Sequence, residues 1–119
     1  MISDETFRKK EHILKSREFR AVYKKGRSFR KGGFILSVMP NDLACSRMGF
    51  SISSANVRRA CIRNRIRRSF REVYRKNKQI FKPAFDMVVI VRKGPEKKFL
   101  SKEIGRVFLA LAKEAGILL

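Results

Sequence analysis

Acidic residues are scarce in this chain: ten aspartates and glutamates stand against 30 lysines and arginines, leaving a formal charge of +20 and a pI near 11.2. So large an imbalance points to nucleic acid or an anionic membrane surface as the partner. Histidine occurs once, at His12, and cysteine twice, at Cys45 and Cys61, with no Cys-x-x-Cys pair. A zinc site therefore has almost no ligands, and two lone thiols in a chain that is not exported are expected to be free. No stretch approaches the roughly 18 apolar residues of a membrane span. The polar start from Met1 to Lys10, with Asp4 and Glu5, lacks a signal-peptide core, so a cytosolic location is the expectation. Catalytic constellations are missing too. The carboxylates are scattered and no serine sits in a nucleophile elbow. Gly32-Gly33 precedes a strand rather than a helix, so it writes no phosphate cradle. No catalytic residue and no metal ligand is assigned to the protein.

What is present is a fold with a basic surface. With 119 residues the chain has the length of one domain, read here as a single RNA-binding domain over residues 1–119. Hydrophobic residues make up 44% of it and ten are phenylalanine, too much for a disordered basic tail. The charge is concentrated between Asn56 and Lys78, where a helix is expected to start near Ala55 or Asn56 and fray by Gln79. At helical spacing Arg59, Arg63, Arg67, Arg71 and Arg75 form an i, i+4 ladder of like charges, with Glu72 the sole acid of the segment. Each like pair costs about 0.2 to 0.5 kcal/mol, and four of them about 1 to 2 kcal/mol. A polyanion is the expected neutraliser. Ile62, Ile66, Phe70 and Val73 fall within about 80° on the helical wheel and form the stripe that docks on a sheet. Asn64, Arg68, Arg71 and Arg75 are expected on the opposite side, and Arg63 and Arg65 flank the stripe.

Elsewhere, a charged lead from Arg8 to Lys15 precedes Ser16, the candidate N-cap of a short helix with Phe19, Val22 and Tyr23 on one face and Gly26 as its stop. Arg27 to Gly33 reads as a basic, glycine-bearing segment. Phe34 to Met39 and Arg47 to Ser53 read as strands, the first closed by Pro40-Asn41-Asp42. In the second, Met48, Phe50 and Ile52 alternate with Gly49 and Ser51. Lys82-Pro83 breaks the arginine helix. Phe85 to Val91 is apolar enough to be a central strand buried on both faces. After a loop from Arg92 to Lys98, Ser101 is the candidate N-cap of a last helix with Ile104, Val107, Phe108 and Leu111 inward and Gly116 as its stop. This order describes an α+β or α/β sandwich around a small sheet. Where the strands before and after the arginine helix are parallel neighbours, that helix is their crossover.

Arginine outnumbers lysine on the basic helix, and its planar fork suits phosphate. The apolar stripe is wide enough to seal a core but not to enter lipid, so nucleic acid is favoured over membrane. Phe19 and Tyr23 read equally well as core residues or as a stacking surface for single-stranded bases. Asn64, a poor residue for a helix interior, is either an RNA contact or a chance surface position.

The segment Asn56 to Arg71, with Arg63-Asn64-Arg65 followed by Ile66, Arg67 and Arg68, resembles the signature of the bacterial ribonuclease P protein subunit family. The resemblance extends to Phe19-Arg20-Ala21-Val22-Tyr23 with Gly26, to Arg47 through Ser53 and to Phe85 through Arg92, in the family's order and spacing. It implies a compact two-layer α+β sandwich of order αβββαβα, with a left-handed crossover through the arginine helix. It implies a protein partner of a catalytic RNA that hydrolyses precursor tRNA to release the 5′ leader, one protein per RNA, with Mg2+ used by the RNA. Carried over by position, Arg63, Asn64, Arg65, Arg67 and Arg68 contact the catalytic RNA, with Arg58, Arg59 and Arg71 extending that surface. Phe19, Tyr23, Ile35 and Ser37 line the cleft for the leader. The family's usual lysine pair before the arginine helix is replaced by Ser54-Ala55. The competing reading is a basic ribosomal or other structural RNA-binding protein without a part in cleavage.

Overall fold

The structure, a computed structural model, describes residues 16–43, 45–92 and 100–119. The polar start and charged lead up to Lys15, His12 among them, and the loop from Lys93 to Lys98 lie outside the described residues, as do the side chains of Ser16 and Ser101. The chain runs α1 (Ser16–Lys25), β1 (Arg27–Lys31), β2 (Phe34–Pro40), β3 (Arg47–Ser51), α2 (Ala60–Lys76), a 3-10 turn (Lys78–Ile80), β4 (Phe85–Val91) and α3 (Leu100–Ala115). This is the αβββαβα order of an α+β fold. α3 begins at Leu100, so Ser101 lies inside the helix rather than before it.

The strands form one sheet in the order β1-β2-β4-β3. β4 is inner, as its apolar run requires, antiparallel to β2 and parallel to β3. A parallel pair needs a crossover, and α2 supplies it. β1, expected only as a basic segment, is a strand on the sheet edge. Its sequence Arg-Ser-Phe-Arg-Lys hides the strand because Phe29 alone is apolar, yet Lys31 pairs with Phe34 across a Gly32-Gly33 turn. Gly32 holds φ 61°, the left-handed conformation that such two-residue hairpins favour. At the junction of α1 and β1, a Cβ on Gly26 would meet the Val22 carbonyl and stand 2.8 Å from the Val38 carbonyl, so this close approach admits only glycine.

Alternation along the strands splits the sheet into two unlike faces. Phe34, Leu36, Val38, Met48, Met87, Val89 and Val91 are buried in the core with Ile66, Phe70 and Tyr74 of α2 and Ile104, Phe108 and Leu111 of α3. Phe70 anchors this side, with its ring 5.6 Å from Phe34 and 5.2 Å from Phe108. Arg47, Gly49, Ser51, Ile35, Ser37, Met39, Asp86, Val88 and Ile90 belong to the other face, because residues paired in register share a side. Only α1 covers that face among the described residues, through Val22 and Phe19 against Val88, Met39 and Ile90.

Two features of α2 differ from the sequence reading. It begins at Ala60, not near Ala55 or Asn56. Ser53 turns the chain instead: the Asn56 and Val57 N–H groups donate to the Ser53 carbonyl at 3.2 and 2.9 Å, and Asn56 Nδ2 donates to the Val91 carbonyl at 3.0 Å. Asparagine and serine compete for backbone partners in this way, and the turn also buries Val57. The buried row is Ile66, Phe70 and Tyr74, while Ile62 and Val73 lie at its margin. That row is centred about 40° round the helix from Ile66. The shift brings one flank of the arginine ladder against the fold.

Candidate nucleic-acid interface

The displaced start and the rotation of α2 divide its arginines. Arg59 is the N-cap residue and Arg58 precedes it, so the ladder on the helix proper begins at Arg63. Its members are half-buried and each meets something within the chain. Arg63 Nη1 donates to the Val57 and Arg58 carbonyls at 2.8 and 3.0 Å, satisfying acceptors just before the helix. Arg67 Nη1 donates to Asn64 Oδ1 at 3.0 Å. Arg71 stacks over the Phe50 ring with its guanidinium carbon 5.2 Å from the centroid. Burial, and secondarily the charge of Arg67, lower the Arg71 pKa from its ordinary value. Arg75 grips Glu72 with Nε and Nη2 at 2.8 and 3.0 Å, and this hydrogen bond holds the Glu72 carboxyl below the usual glutamate range. The ladder's hydrogen-bonding groups are therefore largely engaged within the chain, while Glu72 beside Arg75 is the one carboxylate that offsets its charge among the described residues. Arg71 and Arg75 do not point directly away from the core.

The charge left for a ligand is on the outer surface. Arg58, Arg59, Asn64, Arg65 and Arg68 are all exposed, together with Lys76 at the C-terminal end. None of these arginines has a carboxylate partner among the described residues. A chain of phosphates laid along this surface meets several guanidinium groups that already stand in water, so little desolvation opposes binding.

The second candidate surface is the face under α1, best described as cross-strand rows. At one end Met39, Asp86 and Arg47 pair in register. Arg47 Nε and Nη2 donate to Asp86 Oδ1 and Oδ2 at 2.9 and 2.7 Å, and Nη1 donates to Glu18 of α1. Asn41 Nδ2 adds 2.8 Å to Asp86 Oδ1. The Asp86 side chain is 3% exposed, and its hydrogen bonds raise the Arg47 pKa further above the ordinary arginine value despite the opposing effect of burial. This network fastens α1 to one end of the sheet. In the next row, Ser28, Ser37, Val88 and Gly49, the inner members Ser37, Val88 and Gly49 are buried, while Ser28 on the edge strand is exposed. The third, Arg30, Ile35, Ile90 and Ser51, emerges beyond it. Gly33, Arg92 and Ser53 form the rim.

α1 thus covers half of this face and leaves an open groove. One section, about 280 Å³, is lined by Tyr23, Ser51, Ser53, Asn56, Ile90 and Arg92. The other, about 430 Å³, is lined by Arg30, Gly32, Gly33, Ile35 and Arg92. Tyr23 is 43% exposed on the α1 wall. Phe19 is half-buried against Val22 and Val88, and so is partly a core ring. Ile35 reaches the groove floor. Ser37 does not: it is fully buried and shares a 2.7 Å hydrogen bond with Ser28. Sequence reasoning missed Arg30, Ser53, Asn56 and Ile90 as groove residues. For Arg30 and Ile90 the signal is strand register, which exists only once the strands are paired, and for Ser53 and Asn56 it is the turn that Asn56 closes on the Val91 carbonyl.

A family model described as Ribonuclease P matches residues 7–112. The ribonuclease P protein component of Lachnoclostridium phytofermentans is 37% identical over 103 residues, covering 87% of this chain and 87% of that protein. The component from Clostridium kluyveri is 38% identical over 107 residues, covering 88% and 94%. Among solved structures, the RNase P protein of Staphylococcus aureus superposes with a TM-score of 0.81 at 29% identity, covering 92% of this chain and 98% of that one. The Thermotoga maritima protein gives 0.71 at 28% identity, covering 87% and 96%.

Proposed function

From its membership of the ribonuclease P protein family, to which the chain belongs, we propose that it is the protein partner of a catalytic RNA in 5′ maturation of precursor tRNA. The outer surface of α2 binds that RNA, and the groove beside α1 holds the single-stranded leader. The observation that carries this reading is the separation of two chemically different surfaces. Exposed Arg58, Arg59, Arg65 and Arg68 offer charge with no apolar floor beside them. The groove offers Ile35 and Ile90 as a floor, Tyr23 as a ring on the wall and Arg92 at the rim. The first combination suits the phosphates of a folded RNA and the second a strand whose bases are free to stack.

In this account the chain acts by binding and orientation. It neutralises phosphates of its partner RNA, one protein per RNA, in the cytosol, and raises affinity for precursor over mature tRNA by engaging the leader. Magnesium at the reacting phosphodiester is assigned to the RNA. Among the described residues no three His, Cys, Asp or Glu side chains gather as a metal site, and Asp86, the buried carboxylate, is already spoken for by Arg47 and Asn41.

Reconstitution with a ribonuclease P RNA tests the reading. The protein is expected to lower the magnesium needed for precursor cleavage, and Tyr23→Ala to weaken binding of leader-bearing tRNA by about 1 to 3 kcal/mol, the size of one base stack. Leaderless tRNA should be unaffected. An unrelated basic protein that lowers the magnesium requirement equally well would overturn it.

A further inference from the structure

The two groove sections are one track. Register places Arg30 opposite Ile35, Ile35 opposite Ile90 and Ile90 opposite Ser51, a single row that crosses all four strands on the same face. Three inter-strand spacings make it about 14 Å long. Arg92 lines both sections and joins them. The floor is aliphatic in the middle, at Ile35 and Ile90, and the β1 end carries Arg30 beside the bare Gly32-Gly33 turn. Neither glycine puts a side chain over that end, so a ligand can approach the turn's backbone closely. Arg30 is exposed and has no carboxylate partner among the described residues. Its position two residues beyond Ser28 puts it on the groove face rather than the core face, although β1 is an edge strand whose other charges could serve solubility alone.

We infer that Arg30 and Arg92 form a phosphate seat at the β1 end of the groove, which takes a backbone phosphate of the single-stranded leader distal to the nucleotide stacked on Tyr23. The strand then runs across the β-strands, its bases over Ile35 and Ile90 and its backbone fixed at the far end. Such a seat reads leader length rather than leader sequence, since phosphates carry no base identity. The inference rests on the groove being the leader site.

The test uses the protein assembled with a ribonuclease P RNA and precursor tRNAs whose leaders are lengthened one nucleotide at a time, with affinity measured across a salt series. Wild-type protein is expected to gain affinity in a step once the leader spans the track. Arg30→Ala should abolish that step, lowering affinity for long leaders about two- to fivefold, the range of an exposed ion pair. It should also reduce the log–log salt slope by about 0.7, the value for one phosphate on a single strand. Short leaders and leaderless tRNA should bind the variant normally, its melting temperature should not move, and Arg30→Lys should restore the slope. Tyr23→Ala should lower affinity at every leader length. If Tyr23→Ala behaves so but Arg30→Ala tracks the wild type throughout, the seat is wrong and the leader groove stands. An equal Arg30→Ala loss with leaderless tRNA would assign that arginine to another phosphate and overturn the seat. If Tyr23→Ala has no leader-dependent effect, both fall together.

Discussion

Arg47 on β3 and Arg63, Arg67, Arg71 and Arg75 on α2 are half-buried, and each meets a carboxylate, an amide, a carbonyl or a ring of its own chain. Arg58, Arg59, Arg65 and Arg68 stand in solvent with no carboxylate beside them among the described residues. The sequence writes both sets alike, and the i, i+4 spacing of the ladder picks out mostly the inner set. A regular row of like charges on a helix is thus a poor guide to which charges face a ligand. What separates the sets is where the helix rests on the sheet. A guanidinium over Phe50 or against a backbone carbonyl is part of the fold, whereas one in water is available to phosphate.

Substitutions should split along the same line. The largest effect is expected at Arg47. Removing it leaves the Asp86 carboxylate buried with Asn41 as its remaining partner, and Arg47→Ala should cost about 3 kcal/mol in denaturant unfolding. A cost under about 1 kcal/mol, the worth of a surface pair, would move Arg47 to the other class. Next come the outer arginines. Arg65→Ala with Arg68→Ala should flatten the log–log salt dependence of binding to the catalytic RNA by about 1.4 to 1.8, two phosphates' worth, with an unchanged melting temperature. A fallen melting temperature would show that these side chains also build the fold.

Arg71→Ala is the sharper probe because Arg71 stands on the same helix one turn away. It should lose about 0.5 to 1 kcal/mol of stability through its contact with Phe50 and leave the salt slope where it was. A slope change as large as that of the outer pair would erase the distinction. The smallest effect concerns Glu72. Its folded pKa is depressed by Arg75, so its contribution to stability is present above the unfolded glutamate pKa and is lost as pH falls through the folded one. The pair is half-exposed and screened by solvent, so Glu72→Gln should remove a few tenths of a kcal/mol at neutral pH and flatten the acid limb of a melting-temperature profile. A steeper acid limb in the variant would contradict this sign.

Much of the fold was legible where periodicity and burial agree. The strand from Phe85 to Val91 is inner because its run is apolar throughout, and α3 stops at Gly116 with Ile104, Val107, Phe108 and Leu111 inward. β1 was not legible, since its one apolar residue among charges carries no alternation. It is a strand because the Gly32-Gly33 turn folds it back on β2. The start of α2 was misplaced because Asn56 is read as a helix residue until Val91, 35 positions away, offers its carbonyl. In the candidate site, the exposure of Arg65 and Arg68 was anticipated for Arg68 by wheel position. The burial of Ser37 was not, because it depends on which half of a sheet face α1 covers.

A folded, strongly basic protein with an arginine helix could be read from the chain alone. Those features follow from composition and local spacing, which the chain carries wherever it goes. Which arginines are engaged inside and which remain outside, and that Arg30, Ile35, Ile90 and Ser51 lie in one row, depends on how the chain packs. The reason is that both outcomes are set by contacts between residues far apart in the chain. The Arg47–Asp86 pair spans 39 positions, and the pairing of β2 with β4 brings Ile35 to Ile90.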